Sequence, residues 1–107
     1  MKKKAPRQKN PRAPIALMTC ESGRAFAESV ASEMGTTLLP TNETWFACGE
    51  GKFEIGANVS GHDVYIFQST AGHQDDRSIY DRFLMLLHAI EAAALSDAQY
   101  ITAVVPY

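Results

Sequence analysis

The sequence predicts an α/β domain built on a mostly parallel sheet, and three observations carry that expectation. Apolar runs of strand length recur at 15–20 (IALMTC), 63–69 (DVYIFQS) and 101–107 (ITAVVPY). Two segments with helical apolar spacing lie between these runs. An alternating, glycine-bounded stretch at 37–57 has the pattern of a hairpin projecting from the main sheet. The predicted order is β-α-β-β-β-α-β, in which strands separated by helices imply right-handed crossovers and parallel pairing.

Each element follows from its residues. The continuous run at 15–20 suits a strand covered on both faces. In 22–34, Phe26, Val30 and Met34 fall at i, i+4 and i+8 beside Ala27 and Ala31, one apolar stripe on a helix. Ser22 is the expected N-cap, and Gly35 stands where a left-handed closing residue is wanted. Residues 36–45 are expected to form a strand bent around Pro40 and Asn42. Gly49-Glu50-Gly51 marks a turn, and Phe53, Ile55 and Ala57 alternate with Lys52, Glu54 and Gly56 as in a half-exposed strand. A second turn at 58–61 leads into the strand at 63–69. The polar segment 71–77 is a loop. Ser78 with Asp81 has capping-box spacing, opening a helix over Ile79–Leu95. That helix is apolar around much of its surface, so it is expected to pack on the sheet and also to meet another domain or subunit. The last strand is 101–107.

At 107 residues the chain suits one domain, large enough to bury roughly 60–70% of its unfolded surface. The net charge of −2 is unevenly placed. Residues 1–14 hold six of the ten basic residues, no acid and three prolines; the remainder holds four basic against twelve acidic residues. The tail is read as disordered, because it has too little to bury to offset its ordering entropy. A solubilising extension is its plainest role; RNA, acidic lipid or the acidic body of its own domain are alternative contacts. An acidic body argues against a nucleic-acid surface on the domain itself. Cys20 and Cys48 fit no zinc spacing and read as reduced cytoplasmic thiols. No run approaches the roughly 18 apolar residues of a membrane span, and the proline-rich basic start is no secretory signal.

Ligands of open α/β sheets sit beyond the carboxyl ends of the strands. Those ends carry Thr19, Cys20, Glu21, Ser22 and Gly23, then Ser69, Thr70, Ala71 and Gly72. No GxxxxGK[ST] or GxGxxG phosphate loop occurs. His73 with Asp75 and Asp76 reads as solvated loop, with weak cation binding as the alternative. His88 reads as an interface histidine. Cys20 reads as structural, since no paired base accompanies it. No catalytic residue and no metal ligand is assigned.

The segments taken in order resemble the start of ribose-phosphate pyrophosphokinases (PRPP synthetases). The strand, turn and glycine-closed helix correspond to IALMTCESGRAFAESVASEMG. A Phe-x-Asp-x-Glu element corresponds to Phe46-Ala47-Cys48-Gly49-Glu50. An Asn-Val-Arg-Gly-x-Asp-Val turn corresponds to 58–64, a Gln-Ser-Thr strand end to 68–70, and an Asp-x-Leu-Met-x-Leu-Leu helix to 81–87. An Ile-Thr-Ala-Val-Ile-Pro-Tyr strand corresponds to 101–107.

That resemblance implies a three-layer, phosphoribosyltransferase-like domain over 15–107, shorter than the family's full chain, behind a basic tail at 1–14. It implies transfer of pyrophosphate from Mg·ATP to ribose 5-phosphate, giving PRPP and AMP, in a cytoplasmic homo-oligomer. Phe46, Cys48 and Glu50 would contact adenine across a subunit boundary. A ring stacks on the base and a carboxylate accepts from its exocyclic amine. Asn58, Ser60 and Asp97 mark the family's regulatory anion site in altered form. Ser60 stands where many members have an arginine, so bidentate anion binding is lost. Cys48 replaces an acid. The loop 71–80 is about five residues longer than in the family. The segment with the family's catalytic histidine and the second domain are not in this sequence, so Mg²⁺ and ATP are not expected to bind it tightly alone. A non-catalytic module that joins a full-length synthetase is the competing expectation.

Overall fold

The computed structural model describes residues 13–71 and 77–106. The basic tail through residue 12, the loop residues 72–76 with His73, Asp75 and Asp76, and Tyr107 lie outside the described residues. The elements are β1 (Ile15–Thr19), a short 3₁₀ turn (Glu21–Gly23), α1 (Arg24–Met34), β2 (Thr41–Trp45), β3 (Gly51–Ile55), β4 (Asp63–Phe67), α2 (Ile79–Leu95) and β5 (Tyr100–Val104). A three-stranded parallel sheet has the order β1-β4-β5, and β2 with β3 forms a separate antiparallel ribbon. The expected order and hairpin both stand, and the first and last strands share one sheet with β4 between them.

Leu39 adds to this sheet. Its N–H donates to the Leu17 carbonyl at 2.8 Å. Cys20 N–H donates to the Phe67 carbonyl, so alternate residues of β1 turn toward β4 and Leu17 turns away from it. The chain therefore crosses from β1 through α1 to the outer edge of β1, then returns over the hairpin to β4. The crossover through α2 runs the opposite way, from β4 to β5. Right-handed connections in opposite directions place their helices on opposite faces. Ala16, Met18, Val64 and Ile66 face Met85, Leu86, Ala89 and Ala93 of α2. Leu17 and Phe67 face Ala27 and Ala31 of α1. This is the expected three-layer α/β sandwich.

Three local expectations need correction. Residues 36–40 are not ladder strand; β2 begins at Thr41, after Pro40, whose ring has no N–H to donate. Ser22 does not cap α1: the 3₁₀ turn intervenes, the N-cap is Gly23, and no side chain caps it. The apolar stripe of α1 turns toward the sheet as expected, with Val30 packed against the core and the Phe26 ring beside that of Phe67. The buried pair is Ala27 and Ala31, because small side chains let the helix lie close to β4, while Phe26 stays 45% exposed. The last strand is Tyr100–Val104, and Val105 and Pro106 lie beyond it, exposed.

Both helix ends use one device. In α1, Gly35 is left-handed (φ 70°) and Thr36 N–H returns to the Ala31 carbonyl. In α2, Asp97 takes that place (φ 64°) and Ala98 N–H returns to Ala93. The start of α2 is as expected: Asp81 N–H donates to Ser78 Oγ at 3.0 Å, and Ser78 N–H donates back to the Asp81 carboxylate. Ser78→Ala is expected to lower stability by about 1 kcal/mol, read as a lower urea midpoint at unchanged slope.

Among the described residues, two apolar surfaces remain uncovered. Tyr80, Phe83, Leu84 and Leu87 lie on the outer side of α2, Tyr80 at 83% exposure. On the other layer a groove of about 390 Å³ runs between α1 and the sheet, lined by Ile15, Phe26, Met34, Tyr65 and Val104 among others. No helix among the described residues is long and apolar enough to cross a membrane.

Candidate functional site

The hairpin lifts its tip clear of the sheet. Its register pairs Trp45 with Gly51 and Glu43 with Phe53, and Phe53 is buried in the α2-side core. The tip closes when Phe46 N–H donates to the Glu50 carbonyl at 2.8 Å and Gly49 N–H donates to Phe46 at 2.9 Å. Gly49 has φ 94°, a conformation that side chains disfavour. Residues 46–50 are all exposed, the Phe46 residue at 46%. The structure thus brings Phe46, Cys48 and Glu50 together on one solvent-facing loop of five residues.

Asn58, Ser60 and Asp97 meet at the opposite end of the sheet, before β4. Asn58 Oδ1 accepts from Ser60 N–H at 2.9 Å, and Gly61 N–H donates to the Asp97 carbonyl at 2.9 Å. His62 carries the same junction: its ring Nδ1 lies 3.0 Å from the Ser60 carbonyl, and its own carbonyl accepts from Gln99 N–H. Each of these contacts has a backbone group on at least one side. The junction ties the β4 entrance to the exit of α2.

At the carboxyl edge, the loops after β1 and β4 pack directly on each other. A Cβ on Gly23 would stand 2.9 Å from the Gln68 Cα. Gln68 is buried, donating to the Arg82 carbonyl and accepting from Ser69 N–H. Cys20 is fully buried, and burial with nearby Glu43 and Glu21 pushes its thiol far above the ordinary range. A thiol held neutral is no nucleophile at neutral pH, consistent with its structural reading. Iodoacetamide is therefore expected to label exposed Cys48 in the native chain and Cys20 only on unfolding. Because the unfolded thiol ionises near pH 9 and the folded one does not, stability should fall as pH rises past that value. The limiting slope is about 1.4 kcal/mol per pH unit, and Cys20→Ala should flatten it. Alkaline urea titrations read both results. His88 sits half-buried on α2, four residues after Leu84 on the same apolar face.

Comparison with known proteins resolves the family. The model of the N-terminal domain of ribose phosphate pyrophosphokinase matches residues 15–107. The chain belongs to that family. The ribose-phosphate pyrophosphokinase of Coxiella burnetii is 41% identical over 83 residues, covering 78% of this chain and 24% of that protein. That of Granulibacter bethesdensis is 34% identical over 91 residues, covering 85% and 28%. A crystal structure of phosphoribosylpyrophosphate synthetase from Mycobacterium smegmatis superposes with a TM-score of 0.78 at 24% identity, over 88% of this chain and 30% of that one. The last match supports the fold. The chain spans about a quarter of the length of the curated relatives it matches.

Within this pyrophosphokinase N-terminal domain, the residues behind the hairpin tip are ones that sequence reasoning misses. One Glu43 oxygen accepts from the Trp45 indole N–H at 2.8 Å and the other from Glu21 N–H at 2.9 Å. Thr41 Oγ donates to the Thr19 carbonyl at 3.3 Å. The Arg77 guanidinium lies 4.4 Å from the centroid of the Trp45 ring. The usable sequence signal is a tryptophan paired across the hairpin with a glycine, which leaves room for the ring to lie over the partner strand.

Proposed function

We propose that this chain supplies the N-terminal half of a ribose-phosphate pyrophosphokinase site. It would present Phe46 and Glu50 to the adenine of ATP held by a neighbouring subunit in the cytoplasm. The observation that carries the reading is the exposure of all five tip residues on a hairpin whose base is anchored to the domain, in a chain of this family. An exposed aromatic ring can stack on a base, and the Glu50 carboxylate can accept from its exocyclic amine. The uncovered α2 face and the apolar groove are the surfaces by which a second copy or a full-length synthetase subunit would attach. Among the described residues, no group of three His, Cys, Asp or Glu side chains is placed to hold a metal ion. Magnesium is commonly held by one or two carboxylates together with the nucleotide's own phosphates, so the ion that accompanies ATP would belong to the assembled site.

The activity assigned to the assembly is pyrophosphate transfer from ATP to ribose 5-phosphate. The purified 107-residue chain alone is expected to form no AMP from the two substrates, and AMP formation by it would contradict the half-site reading. In the assembled protein, Phe46→Ala should weaken ATP binding about tenfold, since base stacking contributes roughly 1–3 kcal/mol. Cys48→Asp should strengthen it by a similar factor, restoring an acceptor. Unchanged affinity in both variants would remove the adenine role. A second reading, a non-catalytic module joining a synthetase, is favoured by Cys48 standing exposed at the tip. Native mass spectrometry separates the two: a native polypeptide about four times longer that itself contains this sequence supports the half-site reading, and this chain bound to a separate subunit of that length supports the module.

A further inference from the structure

The Trp45 indole is held from three sides, by its own hairpin, by α2 and by the segment leading into α2. Arg77, in the segment leading into α2, covers its ring at 4.4 Å. A Cβ on Gly51 would stand 3.1 Å from the indole and 2.6 Å from the Met85 methyl, so the ring packs close over Gly51, beside Met85 of α2. Glu43 takes the indole N–H and, through its second oxygen, the backbone N–H of Glu21 just beyond β1. One side chain thus links the hairpin, the carboxyl end of β1 and the start of α2. Trp45 immediately precedes the tip, whose two hydrogen bonds both involve Phe46.

We infer that Arg77, Glu43 and Trp45 act as a positioning unit that fixes the angle of the hairpin tip relative to the carboxyl edge of the sheet. The inference rests on the adenine reading for its use, but the unit itself is defined without a ligand. A two-stranded ribbon is marginal by itself and needs packing to hold an orientation. Here the ribbon's register is one part of that support and the indole is the other. Arginine suits the position because its planar guanidinium stacks on an indole while remaining charged. The glutamate suits it because a carboxylate has acceptor capacity for two donors at once.

Three variants of the full chain test the unit: Arg77→Ala, Arg77→Lys and Glu43→Gln. Hydrogen exchange is read at the Phe46 and Gly49 amides of the tip and at amides of β1 and β4, without nucleotide. Trp45 is the single tryptophan, so its emission reports the same site. Arg77→Ala should speed tip exchange about tenfold and shift Trp45 emission to longer wavelength, with β1 and β4 exchange unchanged. Arg77→Lys should restore part of the protection, and Glu43→Gln, which keeps the size but loses the charge, should lie between. Tip exchange unchanged within twofold in both Arg77→Ala and Glu43→Gln would overturn the inference. So would equal acceleration at the tip, β1 and β4, which marks general destabilisation. ATP titration of the assembled protein then reads separately. Tip loosening without loss of affinity sinks the adenine reading and leaves the positioning unit standing; loss of affinity without tip loosening does the reverse.

Discussion

Ile66→Ala is expected to cost about 3–4 kcal/mol of unfolding free energy. Ile66 is completely buried on β4, the central strand of the parallel sheet, and faces the Met85 and Ala89 side of α2. Deleting its outer carbons removes their transfer free energy and leaves a cavity that a strand paired on both edges relaxes poorly into. Small domains hold roughly 5–15 kcal/mol in total. The variant should therefore keep its fold at low temperature while losing tens of degrees in melting temperature, at about 4–8 °C per kcal/mol. Calorimetry or thermal circular dichroism measures it. A loss under about 1 kcal/mol would place Ile66 outside the core.

Gly23→Ala should cost nearly as much, about 3 kcal/mol, for the opposite reason. The position is not strained: Gly23 has φ −99°, which alanine tolerates. The difficulty is space. The added methyl would meet the Gln68 Cα at 2.9 Å, with Gln68 N and the Phe67 carbonyl carbon at 3.0 Å. These are backbone atoms, so the junction of β1 and α1 must move away from the end of β4. That movement would strain the Cys20 N–H bond to Phe67. Gly51→Ala makes a useful contrast. Its shortest contact is with the Met85 methyl, the far end of a flexible side chain that can turn aside, and the Trp45 ring at 3.1 Å has to give by only a few tenths of an ångström. The Gly51 change should cost less in stability than the Gly23 change, and equal costs would contradict the packing account.

What the sequence discloses follows the range of the interactions involved. Helix α2 is legible from end to end, since its capping box and apolar spacing are local. Gly35 is legible as a left-handed closing residue, but Asp97 is not, because aspartate usually has other work and only its backbone angle reveals the same role. The sheet-facing stripe of α1 is legible, but the depth to which each residue is buried is not, because bulk is a poor guide to burial there. Ala27 and Ala31 are inside, and Phe26 lies with its ring 6.0 Å from that of Phe67, at the rim of the groove. The stretch 36–40 imitates a strand because β-branched residues there satisfy propensity, while the contact that places it, Leu39 to Leu17, is 22 residues distant.

The candidate site divides in the same way. Phe46, Cys48 and Glu50 belong to a motif contained in five residues, and the structure sets them on one exposed loop. The anchor of that loop joins Glu21, Glu43, Trp45, Gly51, Arg77 and Met85, which no local pattern connects. Asn58, Ser60 and Asp97 correspond, by resemblance, to an altered anion site. Their hydrogen bonds give that junction a structural use: an Asx contact and a helix exit that fasten β4 to α2.

The most direct test of the central claim is photolabelling of the assembled protein with an adenine-azido ATP analogue, followed by mapping of the modified peptide. The account predicts label within the hairpin tip, 45–51, suppressed by excess ATP and weak in the dissociated chain. Label confined to other segments, or tip labelling that excess ATP leaves unchanged, would contradict it.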